Sequence, residues 1–94
     1  MQKYEGMLIL EPRLSEERRL EIGKKIEELI VQENGKMKNF QIWGQRRLAY
    51  EINKLKEGFY YLFHFSAEAQ AVNKLKKTCR SEEDILRLFV MKMK

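Results

Sequence analysis

Runs of branched and aromatic residues, most of them alternating with polar positions, predict four β-strands in this chain. The four runs are residues 3–10, 36–52, 59–66 and 85–92. Gly44 lies in the middle of the longest run and indicates a bulge or bend, because an isolated glycine in a strand commonly marks one. The polar segment 53–58, which ends in glycine, predicts a hairpin turn between the second and third strands.

A first helix is predicted between the first two strands, at about residues 16–33. Isoleucines and leucines recur there at helical spacing. Ser15 has the right chemistry to cap the helix N-terminus, since its hydroxyl can accept from a free backbone N–H group. Asn34 and Gly35 supply the stop signal.

A second helix is predicted at about residues 68–79, with Ser66 as its cap. Its predicted apolar face consists of Ala69, Val72, Leu75 and Cys79. The lysines that follow on the other side suit the C-terminal half of a helix, where cations interact favourably with the helix dipole.

The order strand–helix–strand, twice over, predicts an α+β fold of the ferredoxin-like, split βαββαβ type. Both helices would cover one face of a four-stranded antiparallel sheet. Residues 3–10 and 59–66 would form the inner strands, with 36–52 and 85–92 at the edges. A length of 94 residues fits a single domain, residues 1–94.

Alternation along the strands divides their side chains between the two faces of the predicted sheet. The side chains expected to face the helices are Leu8, Leu10, Leu48, Tyr61, Phe63, Phe65, Leu88 and Val90. The opposite, open face is expected to carry Met7, Ile9, Tyr60, Leu62, Phe89 and Met91. An open antiparallel face is normally polar, whereas a contiguous apolar patch usually marks an interaction surface. We therefore expect these six residues to contact a protein partner, with self-association as the alternative.

The charge of the chain favours an anionic partner, with a formal net charge of +5 and a pI of about 9.4. Nucleic acid is the first candidate, because phosphate contacts supply much of the affinity in such complexes. Arg46 and Arg47 are adjacent on a predicted strand, so one guanidinium should lie on each face. The candidate RNA-binding residues are Lys3, Tyr4, Arg46, Arg47, Lys54, Arg87, Lys92 and Lys94. The alternative for these cations is a solvated surface that prevents edge-to-edge aggregation.

Catalysis is not expected. His64 and Cys79 are the only residues of their kinds, so neither a disulfide nor a nucleophile–base pair with an orienting group can be built from them. An acylphosphatase shares the predicted topology, but Glu11 stands where such an enzyme needs anion-binding amides. We expect no metal ion, no cofactor and no small-molecule substrate.

A membrane location is not expected either, because no apolar run approaches the ~20 residues that span a bilayer. The N-terminus lacks a secretory pattern, and we expect a cytoplasmic protein.

Motifs along nearly the whole chain resemble the family of the sixth protein of the bacterial small ribosomal subunit. The residues that carry the resemblance are Tyr4-Glu5, Gly44, Arg46–Tyr50, Ile52, Lys54, Gly58–Tyr61, Asp84–Arg87, Val90 and Lys92. The resemblance implies the βαββαβ fold and a role in the ribosome. It also implies binding to the central domain of the small-subunit ribosomal RNA together with the eighteenth small-subunit protein. Two departures are Glu51, where members often have proline, and Gly6, where a core aliphatic residue is usual.

Two other functions stay open from the sequence. An RNA-recognition motif has the same topology and would display Tyr61 to RNA, whereas the alternation above buries it. A protein-interaction module with no RNA role is the third possibility. The exposure of Tyr61 distinguishes the first of these from the ribosomal family.

Overall fold

The computed structural model describes residues 1–93 and contains the four strands and two helices in the predicted order. The elements are β1 (Gln2–Leu10), α1 (Glu16–Gln32), β2 (Lys36–Ile52), β3 (Leu55–Ala67), α2 (Ala69–Arg80) and β4 (Ile85–Lys92). The strands form one antiparallel sheet in the order β2-β3-β1-β4. The predicted inner and edge strands are therefore confirmed.

The main hydrophobic core lies between the sheet and the two helices. Side chains from β1 and β3, among them Leu8, Leu10 and Phe63, are fully buried there against Ile22 and Leu75 of the helices. Aromatic rings of β3 continue this layer, since the ring centroids of Phe63 and Phe65 lie 5.5 Å apart. The helix-facing alternation of β1 and β3 is thus confirmed.

Both predicted ends of α1 are confirmed. The Ser15 side chain accepts a hydrogen bond of 3.1 Å from the backbone N–H of Arg18. At the other end Asn34 adopts a left-handed conformation with φ of 65°. The N–H of Gly35 then donates to the carbonyl of Ile30 at 2.8 Å, which satisfies a helix carbonyl that would otherwise lack a partner.

The start of α2 differs from the prediction. Ser66 is part of β3, and the helix begins after Glu68, which makes no side-chain capping bond. The buried face starts at Ala71, whereas Ala69 is exposed in the first turn. The strand extends further because Ser66 pairs with Lys3 of β1, and this backbone pairing outweighs the local capping preference of serine.

The hairpin turn between β2 and β3 is also shorter than predicted. It consists of Asn53 and Lys54 alone, with φ values of 51° and 67°. Two positive φ values characterise a two-residue type I′ hairpin, whose twist matches that of the flanking strands. The remaining residues of the predicted turn, 55–58, belong to β3.

A bulge at Gly44 changes which face the end of β2 presents. Ile42 pairs with Tyr61, but Gly44 pairs with Tyr60, so Trp43 is an extra residue on β2. An extra residue reverses the alternation beyond it. The prediction that Leu48 faces the helices is therefore wrong.

On the open face, Leu48 belongs to a second buried cluster with Ile9, Ile52 and Leu86. This small cluster closes one end of the open face, where the long β2–β3 hairpin packs against β1 and the start of β4.

An ion-pair network joins α1 to the loop before β4. The Arg18 guanidinium donates to Asp84 at 2.8 Å and to Glu82 at 2.7 Å, and Lys25 also pairs with Glu82 at 3.1 Å. The hydrogen bond from Arg18 to Asp84, with the nearby acidic charges, raises the pKa of Arg18. These carboxylates are thus engaged within the fold.

Candidate nucleic-acid and protein interface

Three apolar side chains form a row across the open face. Met7 of β1 pairs with Leu62 of β3 on one side and with Phe89 of β4 on the other. None of the three belongs to the helix-side core, so the predicted apolar open face is present. Phe89 is 49% exposed, and Met91, two residues further along β4, is also exposed. This apolar surface can contact a protein partner without any rearrangement of the core.

Ile9 and Tyr60 contribute to the open face in different ways. They pair with each other on adjacent strands, but Ile9 is only 5% exposed, because it is packed in the cluster around Leu48. Ile9 therefore supports the surface from beneath. The exposed and half-buried apolar residues of the open face are Met7, Tyr60, Leu62, Phe89 and Met91.

A polar pair borders the apolar row. Glu5 and His64 are paired on β1 and β3, and their side chains hydrogen-bond at 2.9 Å. Both are partly accessible from the open side. A partner seated on the apolar row would thus meet a carboxylate and an imidazole at its edge.

Arg46 and Arg47 lie near the end of the long hairpin and are both exposed. Arg46 pairs with Gly58, where an added Cβ atom would meet the Ile9 side chain, so Arg46 is on the open side. Arg47 pairs with Glu57 and therefore lies on the opposite side. The predicted separation of the two guanidiniums onto different faces agrees with this register.

The chain termini meet at the opposite end of the sheet, as expected for antiparallel β1 and β4. Tyr4 pairs with Lys92, and the N–H of Met93 donates to the carbonyl of Lys3 at 2.8 Å. Lys3 and Lys92 are both exposed, although the register places them on different faces. The candidate Lys94 lies outside the described residues.

Tyr4 itself is a core residue. It is 8% exposed, and its ring stacks on Phe65 with centroids 5.3 Å apart. The prediction that Tyr4 contacts RNA is therefore wrong, because Tyr4 follows the same alternation as Leu8 and faces the helices. The exposed Lys3 and Lys92 remain candidate RNA-binding residues.

Lys54 and Arg87 are both exposed and occupy separate positions. Lys54 is at the hairpin tip, whereas Arg87 pairs with Ile9 on the edge strand β4 and so projects from the open face. Arg87 also donates to the carbonyl of Leu86 at 2.7 Å.

The exposed candidates have no carboxylate partner, a property that they share with most other cations of residues 1–93. Within residues 1–93, the salt bridges of lysine and arginine involve Arg13, Arg18, Lys25 and Lys74. In that part of the chain none of the following is paired with a carboxylate: Lys3, Arg46, Arg47, Lys54, Arg87 and Lys92. These side chains are free to bind an external anion.

Tyr61 distinguishes the ribosomal family from an RNA-recognition motif. It is 4% exposed and packs in the helix-side core. Burial raises the pKa of the Tyr61 hydroxyl, although Arg19 opposes the shift. An RNA-recognition motif would present this ring to RNA. That alternative is therefore rejected.

Trp43 received no role from the sequence. It is 42% exposed, and the guanidinium carbon of Arg46 lies 5.8 Å from its ring centroid. In the sequence, the only indication of a role was that Trp43 stands between an apolar strand residue and a glycine, with Arg46 and Arg47 three and four residues further on.

Two further observations concern metal binding and membrane insertion. In residues 1–93 no cluster of three or more His, Cys, Asp or Glu side chains is arranged to hold a metal ion. Neither described helix combines the length and apolar character required to cross a bilayer.

Comparison with known proteins agrees with this architecture. The family model described as Ribosomal protein S6 matches residues 3–92. The chain belongs to the ribosomal protein S6 family. It is therefore a protein of the small ribosomal subunit, located in the cytoplasmic ribosome, and this is a family of structural proteins rather than enzymes.

Two relatives illustrate the similarity. The small ribosomal subunit protein bS6 of Thermoanaerobacter pseudethanolicus is 36% identical over 92 residues, covering 98% of this chain and 97% of the relative. The crystal structure of 30S ribosomal protein S6 from Thermotoga maritima matches with a TM-score of 0.90 and 29% identity. That match covers 98% of this chain and 87% of the other. The resemblance to the S6 family and the ferredoxin-like fold are thereby confirmed.

Proposed function

We propose that this S6-family protein binds the central domain of the small-subunit ribosomal RNA together with the eighteenth small-subunit protein. The RNA would be bound through exposed cations, and the protein through the apolar open face. The role is to stabilise an RNA fold during assembly, since phosphate contacts position a protein without reading sequence.

The observation that carries the proposal is the apolar row of Met7, Leu62 and Phe89. It lies on the sheet face that the two helices leave uncovered. A ribosomal protein works in a crowded assembly, where such a surface can be buried against a neighbour.

RNA binding is supported by the unpaired cations around this face. Arg46 and Arg87 project from the open side, and Lys3 lies at the other end of it. An RNA that borders the protein partner could therefore contact guanidinium and ammonium groups on two sides of the apolar row. Arginine suits this task because its planar group binds phosphate through two hydrogen bonds.

Filter binding to a central-domain RNA fragment tests the proposal. The variant Arg46→Ala/Arg47→Ala should bind more weakly. The dependence of log affinity on log salt concentration should become shallower by about 0.7 to 0.9 for each phosphate that the variant no longer neutralises. Lys76→Ala/Lys77→Ala is the matched control, because it removes the same charge from exposed positions of α2.

Circular dichroism should give the same spectrum for both variants and the original protein. Equal affinity and equal salt dependence for the two double variants would contradict a specific role for the arginines. Affinity of the original protein that does not fall with rising salt would contradict phosphate binding altogether.

A further inference from the structure

We propose that Trp43 and Arg46 form a stacking platform for an unpaired RNA base beside the β2 bulge. This inference rests on the proposed RNA binding and adds to it the kind of nucleotide that the hairpin contacts. It also gives a function to the only tryptophan of the chain.

The bulge presents Trp43 to solvent. Ile42 and Gly44 are opposite consecutive residues of β3, so Trp43 has no partner across the strand pair. β2 is an edge strand, and the Trp43 side chain is 42% exposed. Trp43 belongs to neither buried cluster. Its ring can therefore contact a ligand without any loss of core packing.

The backbone next to the ring is open. Gly44 has a positive φ of 85°, and a Cβ atom placed on it would meet nothing within 4 Å. The glycine thus permits the bulge geometry and leaves room for a planar group to approach the strand beside Trp43.

Arg46 places a cation at the same spot. Its Nε donates to the Trp43 carbonyl at 3.3 Å, and its guanidinium carbon lies 5.8 Å from the ring centroid. This distance is near the outer limit of a cation–π contact, so the guanidinium can move to a phosphate while staying close to the ring. An aromatic face with an adjacent arginine is the combination that binds a base and its own backbone.

The surroundings favour an anionic ligand over a metal ion, and the exposed indole face favours one that carries a planar base. Glu57, on the neighbouring strand, is held by the Gln45 side chain at 3.2 Å, and Arg47 adds a second free cation. The base would have to be unpaired, in a loop or a bulge, because bases within a duplex are already stacked on each other.

Intrinsic fluorescence tests the platform directly, since Trp43 is the sole tryptophan. Titration with the central-domain RNA fragment should quench its emission and protect it from acrylamide. Trp43→Leu keeps an apolar side chain without an aromatic face. It should weaken RNA binding about 5- to 150-fold, which corresponds to the roughly 1–3 kcal/mol of one stacked base. Trp43→Phe should retain most of the affinity.

The salt dependence separates stacking from phosphate binding. Trp43→Leu should leave the slope of log affinity against log salt concentration unchanged, whereas Arg46→Ala/Arg47→Ala should make it shallower. Tyr50→Ala is the matched control, because Tyr50 is another exposed aromatic residue further along β2, and it should bind RNA like the original protein.

Each other outcome overturns the platform. If RNA binds with the expected salt dependence but Trp43 is neither quenched nor needed, the platform is wrong and the proposed function stands. If the protein partner alone quenches Trp43 and Trp43→Leu weakens only that complex, the tryptophan is a protein contact. If no RNA binds at low salt, both proposals fail together.

Discussion

Gly6 of β1 lies directly beneath the ring of Phe63 on β3. The two residues are paired across the strands, and a Cβ atom on Gly6 would overlap Cζ of Phe63. Phe63 is fully buried and packs against Phe40 and Phe65, so its ring has little room to move away. The departure from the family at this position is therefore explained, because the glycine makes space for the large ring.

We expect Gly6→Ala to destabilise the fold by about 1–3 kcal/mol, the usual cost of an added methyl group in a tightly packed core. Urea denaturation followed by circular dichroism measures the change. Combining Gly6→Ala with Phe63→Leu should recover part of the loss relative to the two single changes added together. Strict additivity of the two changes would show that the ring and the glycine are not coupled.

Lys54 is expected to lower the stability of the fold at the hairpin tip, because its φ of 67° suits glycine better than lysine. Lys54→Gly should raise the free energy of unfolding by up to about 1 kcal/mol, since Asn-Gly is the preferred pair for this turn. Thermal unfolding measures it. Lys56→Gly removes the same charge from an extended position of β3 and should instead be destabilising. A loss of stability in Lys54→Gly would contradict the turn assignment.

Cys79 should be unreactive in the folded protein. Burial raises the pKa of the Cys79 thiol to about 11, well above its usual value near 8.5. An aromatic disulfide reagent at about pH 8 should therefore modify the protein only after denaturant is added. Rapid labelling of the native protein would contradict this burial.

The same shift makes stability depend on alkaline pH. The thiol stays protonated in the fold while the unfolded chain ionises, so stability is complete below about pH 8.5 and falls up to about pH 11. The loss from this group should reach about 3 kcal/mol. Cys79→Ala should flatten that part of the pH profile in urea denaturation, although the raised pKa of Tyr61 leaves a further loss at higher pH.

If the open face binds the eighteenth small-subunit protein as proposed, Phe89→Glu should weaken that complex while leaving the fold intact. Phe89 is exposed at the edge strand and occupies the centre of neither buried cluster. Placing a carboxylate in the apolar row should weaken the complex more than tenfold, as expected for a central interface residue. Isothermal titration calorimetry measures it. Leu20→Glu makes the same kind of change on the exposed side of α1 and should bind normally. Equal losses in both variants would argue against the open face.

The sequence by itself determined the features that depend on near neighbours along the chain. The order of elements, the Ser15 cap and the Asn34-Gly35 stop all follow from local conformational preferences. The alternation of side chains along β1 and β3 could also be predicted, because the pairing of these two strands contains no bulge. The apolar open face could be predicted for this reason.

The tertiary structure decided where that alternation changes phase. Gly44 indicated a bulge, but only the pairing with β3 shows that one residue is inserted there, which moves Leu48 to the open face. Pairing with β1 likewise carried β3 through Ser66. Local propensity is worth a fraction of a kcal/mol per residue, whereas a strand register commits many side chains together, so the register prevails where the two disagree.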